Sequence, residues 1–266
     1  MSVMPQQRPA PDHYIGAIPK GATGDPRFRI SCVTICVGYS DFLAHTLPLN
    51  QHHFDRMVVV TAPWDPETLK VCEYYRVEAI QTNQFMEEAG EFRKAIGINH
   101  GLRSLYADPE GWICHMDADI VQPPHFRDSV RNAWLDKSML YGMDRAEFKS
   151  FAQWEDFHRL PEPQVQGGFL IHTMNAGKPI GTRLQFYHTG GYVPIGFFQM
   201  WHSGLGQPEY PEKSSNAGAT DAHFGTKWAR AKRGMIPEVI CYHLESEAAP
   251  MGVNWKARET KPFGAL

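Results

Sequence analysis

Between residues 28 and 120, short apolar runs alternate with helix-length amphipathic stretches. Nothing else in the chain restricts its folding as much. Residues 28–38, from Phe28 to Gly38, read as a buried first strand. Residues 41–51 read as a short helix, with Ser40 or Asp41 as its cap. Met57 to Val60 is the second strand. A helix from about Asp65 to Tyr75 follows, with Pro66 in its first turn. Val77 to Thr82 is the third strand. Residues 91–106 form the best helix in the sequence. Phe92, Ala95, Ile96, Ile98, Leu102 and Leu105 give it an apolar side. Glu87, Glu88 and Glu91 sit near its positive end. Residues 112–117 are the fourth strand. Such alternation predicts an α/β fold: a mostly parallel sheet with helices on both faces. Right-handed crossovers then place the strand C-terminal ends on one edge. Gly38-Tyr39, Thr61-Ala62 and Asp117-Ala118-Asp119 are expected to gather there.

The fourth strand ends unusually. Trp112-Ile113-Cys114-His115-Met116 runs straight into Asp117 and Asp119. An unbroken apolar run suits a strand buried on both faces. Carboxylates are rarely buried without partners, so the strand emerges from the core at Asp117. In open α/β sheets, ligands bind at that end of the strands. Two acidic groups there suit a divalent cation such as Mg²⁺ or Mn²⁺.

The second half lacks this regularity. Apolar pieces at 139–143, 168–172, 184–187 and 195–201 are separated by Gly-, Pro- and His-rich loops. A mixed-sheet C-terminal extension with long functional loops is expected. The stretch from Tyr187 to His202 is dense in aromatics and glycines. Glycines let a backbone approach a ligand closely, and aromatic faces suit sugars or bases. Gly190, Gly191, Trp201 and His202 are therefore read as acceptor-side residues.

Composition narrows the function. The 266 residues are 42% hydrophobic and carry a net charge of −3, enough for a sizeable core and without a strongly basic footprint for nucleic acid. Lys227, Arg230, Lys232 and Arg233 form the one local basic cluster noted. The five cysteines are odd in number and lie mostly in apolar runs without a CxxC pair, so they read as reduced core residues of a cytoplasmic protein. No window approaches the length of a membrane span, and residues 1–27 read as an extended arm lacking a signal-peptide pattern.

On these residues the chain resembles the GT-A glycosyltransferases, which use nucleotide sugars and carry a DxD motif after the fourth strand. The matching pieces are Ile30–Gly38, the helix stretch Phe92–Leu102, and His115-Met116-Asp117-Ala118-Asp119. Ala219–Phe224 looks like the family's acidic segment that supplies a general base, and Val239–Leu244 like its late strand with a metal-binding His. The resemblance implies a GT-A, Rossmann-like single domain. Residues 28–121 would bind the nucleotide sugar and 122–266 the acceptor. It implies Asp117, Asp119 and His243 as ligands to Mn²⁺ or Mg²⁺, and Asp221 as the base. Gly38, Tyr39, Thr61, Arg93, Lys94 and Asp117 would contact the donor, with a UDP-sugar favoured. The acceptor stays open among a glycan, a small molecule and a modified DNA base, the last as in phage enzymes. Two other readings remain. His115, Asp117 and Asp119 would share one face of a continuous strand, which suits a metal-dependent hydrolase or nuclease. A non-catalytic nucleotide-binding module is the second. An N-cap role for Asp221 is the plain structural reading of that residue.

Overall fold

The structure is a computed structural model. It describes residues 27–85, 92–107, 111–157, 174–175, 178–179, 193–213, 217–245 and 262–264. The pieces expected at 168–172 and 184–187, the arm up to residue 26, and Glu87, Glu88, Glu91, Gly190 and Gly191 lie outside these residues.

The first half follows the alternation. The elements are β1 (Ile30–Ile35), α1 (Ser40–Asn50), β2 (Arg56–Thr61), α2 (Pro66–Tyr75), β3 (Glu78–Gln81), α3 (Lys94–Leu105) and β4 (Trp112–Met116). Three pairings, β1 with β2, β1 with β4 and β2 with β3, are parallel. The second half adds β5 (Ile120–Val121), α4 (Phe126–Asn132), β6 (Leu140–Phe148) and α5 (Phe151–Phe157). A small hairpin follows, of β7 (Met174–Asn175) and β8 (Lys178–Pro179). Then come β9 (Phe198–His202), α6 (Ala217–Gly225) and β10 (Arg233–Leu244). The main sheet has eight strands in the order β3-β2-β1-β4-β9-β6-β10-β5. β9 runs antiparallel to both β4 and β6, while β6 and β10 run parallel to each other. The fold is thus mixed α/β, with a parallel core and a mixed C-terminal extension.

Both faces of the sheet are covered because β1 and β2 are apolar on both sides. Ile30, Cys32, Met57 and Val59 pack with Leu43 and Leu47 of α1 and Val71 and Cys72 of α2. Val33, Ile35, Val58 and Val60 pack with Ala95, Ile98, Leu102 and Leu105 of α3. Gly101 sets how closely α3 lies on the sheet, since a Cβ there would run into Val33 and Val60. All five cysteines are buried and free, as their apolar settings predict. Among the described residues, no helix is long and apolar enough to cross a membrane.

Helix ends differ from expectation in two places. α1 is capped by neither Ser40 nor Asp41; Tyr39 is its N-cap residue and makes no side-chain cap bond. Asp41 instead accepts a hydrogen bond from the Phe263 backbone N–H at 2.5 Å, a contact across the whole chain. α3 begins at Lys94, with Arg93 as its N-cap residue. Asp65 does cap α2, accepting from Thr68 N at 3.2 Å, and Pro66 occupies the first turn.

Candidate functional site

The C-terminal ends of β1, β2 and β4 share one edge of the sheet. Gly38 lies there with a φ of +71°, the left-handed region where glycine is favoured. Its N–H donates to Asp65 Oδ2 at 2.7 Å. The same carboxylate oxygen accepts from Thr68 Oγ1 at 2.7 Å and lies 3.5 Å from Thr61 Oγ1. Asp65 thus ties the ends of β1 and β2 to the start of α2. Thr61 is fully buried within this knot. Tyr39 is half-buried and packs against Phe42 with ring centroids 6.0 Å apart.

β4 stops at Met116, and the next residues turn, with Ile120 N donating to Asp117 O at 3.3 Å. This turn is pinned from three sides. Asp117 N donates to Phe197 O at 3.0 Å, Thr46 Oγ1 to Ala118 O at 2.7 Å, and Leu244 N to Asp119 O at 2.9 Å. The two aspartates consequently face different partners. Asp117 Oδ1 lies 2.7 Å from Lys94 Nζ and 3.4 Å from His115 Nε2. Asp119 Oδ2 lies 3.4 Å from His243 Nε2. His115, Asp117 and Asp119 therefore do not line one strand face, because the strand ends before the first aspartate. Of the three residues of the hydrolase reading, His115 and Asp117 still meet, and Asp119 turns to His243.

Asp221 is brought to the same edge by α6. It is the fifth residue of that helix, so it is not an N-cap. Its Oδ2 lies 3.7 Å from Lys94 Nζ, and its Oδ1 is buried without a hydrogen-bond partner. Burial pushes the Asp221 carboxyl up to about 7, with Lys94 pulling down and Asp117 pushing further up. Burial alone would lower the Lys94 ammonium, but the Asp117 and Asp221 carboxylates hold it well above the ordinary lysine value. Burial, reinforced by Lys94, pushes His115 down to about 3 against the pull of Asp117, so its imidazole is neutral.

Several neighbours escaped the sequence reading. Gln199 is fully buried and donates to Pro194 O at 2.9 Å and to the Asp221 backbone O at 3.1 Å. Tyr210 donates to Gln199 Oε1 and stacks on Phe224 at 3.8 Å between centroids. Asn99 of α3 holds the Tyr210 backbone by two bonds, 2.7 and 3.0 Å long. A Cβ on Gly196 would collide with the Asp221 carboxylate. Gly190 and Gly191, the glycines expected to approach a ligand, lie outside the described residues. The glycine that approaches among the described residues is Gly196. Gln199 carried no local signal, being a single polar residue in an apolar run, and neither did Tyr210, an aromatic among Pro and charged neighbours.

Around His243 there is a second charged group. Its Nδ1 lies 3.5 Å from Glu245 Oε1. One ligand atom each from Glu147, His243 and Glu245 fall within 4.8 Å of one another, a spacing that could hold a metal ion. Lys149 bridges Glu147 and Glu245 at 2.9 and 2.7 Å, and Arg145 meets Glu147 at 3.0 Å. Burial would raise the Glu147 carboxyl, yet Lys149 and Arg145 hold it below its ordinary value.

Asp119 and His243 offer two groups to a divalent cation; among the described residues the three-residue group with ligand atoms within 4.8 Å is Glu147, His243 and Glu245, and not the expected Asp117, Asp119 and His243. Asp119 is 7% exposed; its Oδ1 is buried without a hydrogen-bond partner, and its Oδ2 lies 3.4 Å from His243 Nε2. A buried, unsatisfied carboxylate oxygen is costly, and an oxygen and an imidazole nitrogen together suit Mn²⁺. Counted over Asp117, Asp119, Asp221, Glu147 and Glu245 against Lys94, Arg145 and Lys149, the edge carries two excess negative charges with Asp221 ionised.

Other expected site residues fall elsewhere. β9 runs antiparallel to β4, pairing Met116 with Phe198 but Trp112 with His202. His202 and Trp201 therefore sit at the far end of β4 from Asp117. Trp201 is fully buried against Phe224 and Trp228. His202 accepts from Gly204 N at 3.0 Å and meets the Trp112 ring edge-on. Neither faces the acidic edge. The basic cluster is also remote: Arg233 opens β10, opposite Leu140, while His243 is next to its last residue, Leu244. Lys232 is occupied by Asp136 and Ser138 at 3.2 and 2.6 Å. Arg93 is half-buried, and its N–H donates to Phe85 O at 2.6 Å.

No protein-family model matches the chain, and no curated protein matches it. Among solved structures it is similar to glucosyl-3-phosphoglycerate synthase from Mycobacterium tuberculosis in complex with Mn²⁺, uridine diphosphate and phosphoglyceric acid. That likeness has a TM-score of 0.42 at 11% identity, over 85% of this chain and 71% of the other. The same enzyme with Mg²⁺ and uridine diphosphate gives 0.43 at 12%, over 82% and 70%. A nucleotidyl transferase from Methanothermobacter thermautotroptrophicus gives 0.33 at 14%, over 50% and 76%. Nothing about activity follows from likeness at these values.

Proposed function

We propose that this chain is a metal-dependent glycosyltransferase that moves a sugar from a nucleoside diphosphate sugar, a UDP-sugar being favoured, to an acceptor hydroxyl. One observation carries the reading. A buried carboxyl poised at about 7, Asp221, shares the binding edge of a parallel sheet with an acidic turn whose Asp119 keeps an unsatisfied oxygen and meets His243.

Asp119 and His243 would hold the cation, with Asp117 as the third ligand. When bound, the cation would supply charge neutralisation for the departing diphosphate. The remaining roles belong to the protein. Gly38 and Tyr39 line the edge at the end of β1, where the donor nucleotide would lie, and the Asp65 knot holds Thr61 and Gly38 in place. Arg93 and Lys94, at the start of α3, would orient the phosphates. Asp221 would take the proton of the acceptor hydroxyl. A base tuned near neutral pH suits that task, and in this role it belongs to a displacement with inversion. Gln199 holds its backbone carbonyl, and Gly196 leaves room for its carboxylate. Gly190 and Gly191 retain their proposed acceptor-side role on sequence grounds alone. Among the described residues the edge is acidic and the basic cluster lies at the other end of the sheet. This favours a neutral hydroxyl on a glycan or small molecule over DNA.

The test is a panel of nucleotide sugars and phosphoesters offered to the purified protein with Mn²⁺. One nucleotide-sugar class should raise the melting temperature by linkage and be consumed, and EDTA should stop its consumption. Turnover of phosphoesters with no effect of any nucleotide sugar would defeat the proposal.

A further inference from the structure

Lys94 is oddly placed for a lysine. It is the first residue of α3, where the helix dipole disfavours positive charge, and the first turn of α3 has no acidic residue to offset it. What holds it is tertiary: Asp117 Oδ1 at 2.7 Å and Asp221 Oδ2 at 3.7 Å, with the lysine side chain only 12% exposed. The buried His115 Nε2 lies 3.4 Å from the same Asp117 oxygen that Lys94 holds. Lys94 is thus the ammonium that fills the Asp117 corner.

We propose that Lys94 is a resident counter-cation: its ammonium occupies the place beside Asp117 that a divalent cation needs, and it must leave before Asp117 can bind metal. A diphosphate offers the displaced ammonium a new partner. Metal and nucleotide therefore bind in concert, each raising the affinity of the other. Asp119 and His243 form the standing half of the cation site, and Asp117 the half that is released. This rests on the transferase reading and adds to it an order of assembly.

The experiment measures Mn²⁺ binding by the paramagnetic resonance signal of the free ion, without nucleotide, for wild type, Lys94→Met, and each of these with Asp119→Ala. Lys94→Met should bind Mn²⁺ about 5–150-fold more tightly than wild type, the usual span of coupling between two sites. Asp119→Ala should abolish binding in both backgrounds. Equal or weaker binding by folded Lys94→Met overturns the inference; if Asp119→Ala still abolishes that binding, the transferase reading survives. No Mn²⁺ binding by either protein overturns both. If Lys94→Met does not fold, wild type alone decides. UDP should tighten Mn²⁺ binding by a comparable factor, after correction for the Mn²⁺–UDP complex measured without protein. An unchanged affinity overturns the inference.

Discussion

The parallel half of the sheet and the mixed half meet at β4, and they build the candidate site by different means. In the parallel half, the Asp65 knot is largely local: Asp65 caps the helix that starts beside it and collects Thr61 and Thr68 within a few residues, with Gly38 added from the end of β1. In the mixed half, the contacts that reach the two acids Asp119 and Asp221 come from far along the chain. Gln199 on β9 holds the backbone of Asp221 on α6, and His243 at the end of β10 reaches Asp119 beyond β4. On the proposed function, the first half would supply a stable edge and the second half the groups that react there. Substitutions in the mixed half should therefore remove activity while the fold survives. Substitutions in the parallel half should lower stability first.

The largest effect is expected at Asp221. Asp221→Asn should reduce transfer by about 10²–10⁴-fold, the usual worth of a general base, with donor binding retained. In wild type, transfer should rise with pH to a plateau as Asp221 loses its proton through about 7, and the variant should lack that rise. The stability sign is opposite. The folded state keeps this proton longer than the unfolded chain does. The contribution of Asp221 to stability thus falls from about pH 4 to about 7 and is flat beyond. Melts of wild type and variant across that window check it. If the variant loses donor affinity instead of transfer, the two halves are not divided as described.

Asp119→Ala comes next, with a loss on the order of 10²–10³-fold in nucleotide-sugar turnover and an unchanged circular dichroism melt at neutral pH. Full activity in EDTA would remove the cation from the picture. Gly196→Ala should follow. Its methyl would push the Asp221 carboxylate aside, and a displacement of about 1 Å costs roughly 10²-fold in rate. Here kcat should fall more than donor affinity, measured separately by calorimetry.

The parallel half gives the smaller, stability-borne effects. Gly101→Ala should press a methyl into Val33 and Val60 and destabilise by about 1–3 kcal/mol, as overpacking does. Asp65→Ala should remove a helix cap and cost about 0.5–2 kcal/mol. Urea melts check both. Loss of turnover without loss of stability at either position would break the comparison.

Much of this was legible in the residues. The four parallel strands, their helices and the acidic turn after β4 follow from apolar spacing and from where it stops. Pro66 and Asp65 marked the start of α2. The pattern was less informative where partners are distant. Asp41 looked like a cap for α1, yet it holds Phe263. Asp221 looked like a helix start, yet the helix begins at Ala217. Trp201 and His202 read as acceptor-side residues from their aromatic, glycine-rich neighbourhood, because nothing local says that β9 runs antiparallel to β4. Direction alone carries them to the opposite end of the sheet.

By itself, the sequence determined the parallel core and the edge at which two acids emerge, because side-chain period and strand ends are properties of neighbouring residues. Tertiary structure decided which groups meet those acids. It sent Asp117 to Lys94 and Asp119 to His243, and it buried Asp221 deeply enough to raise its carboxyl to about 7. Strand order, strand direction and burial arise from contacts between distant segments, and no window of sequence contains them.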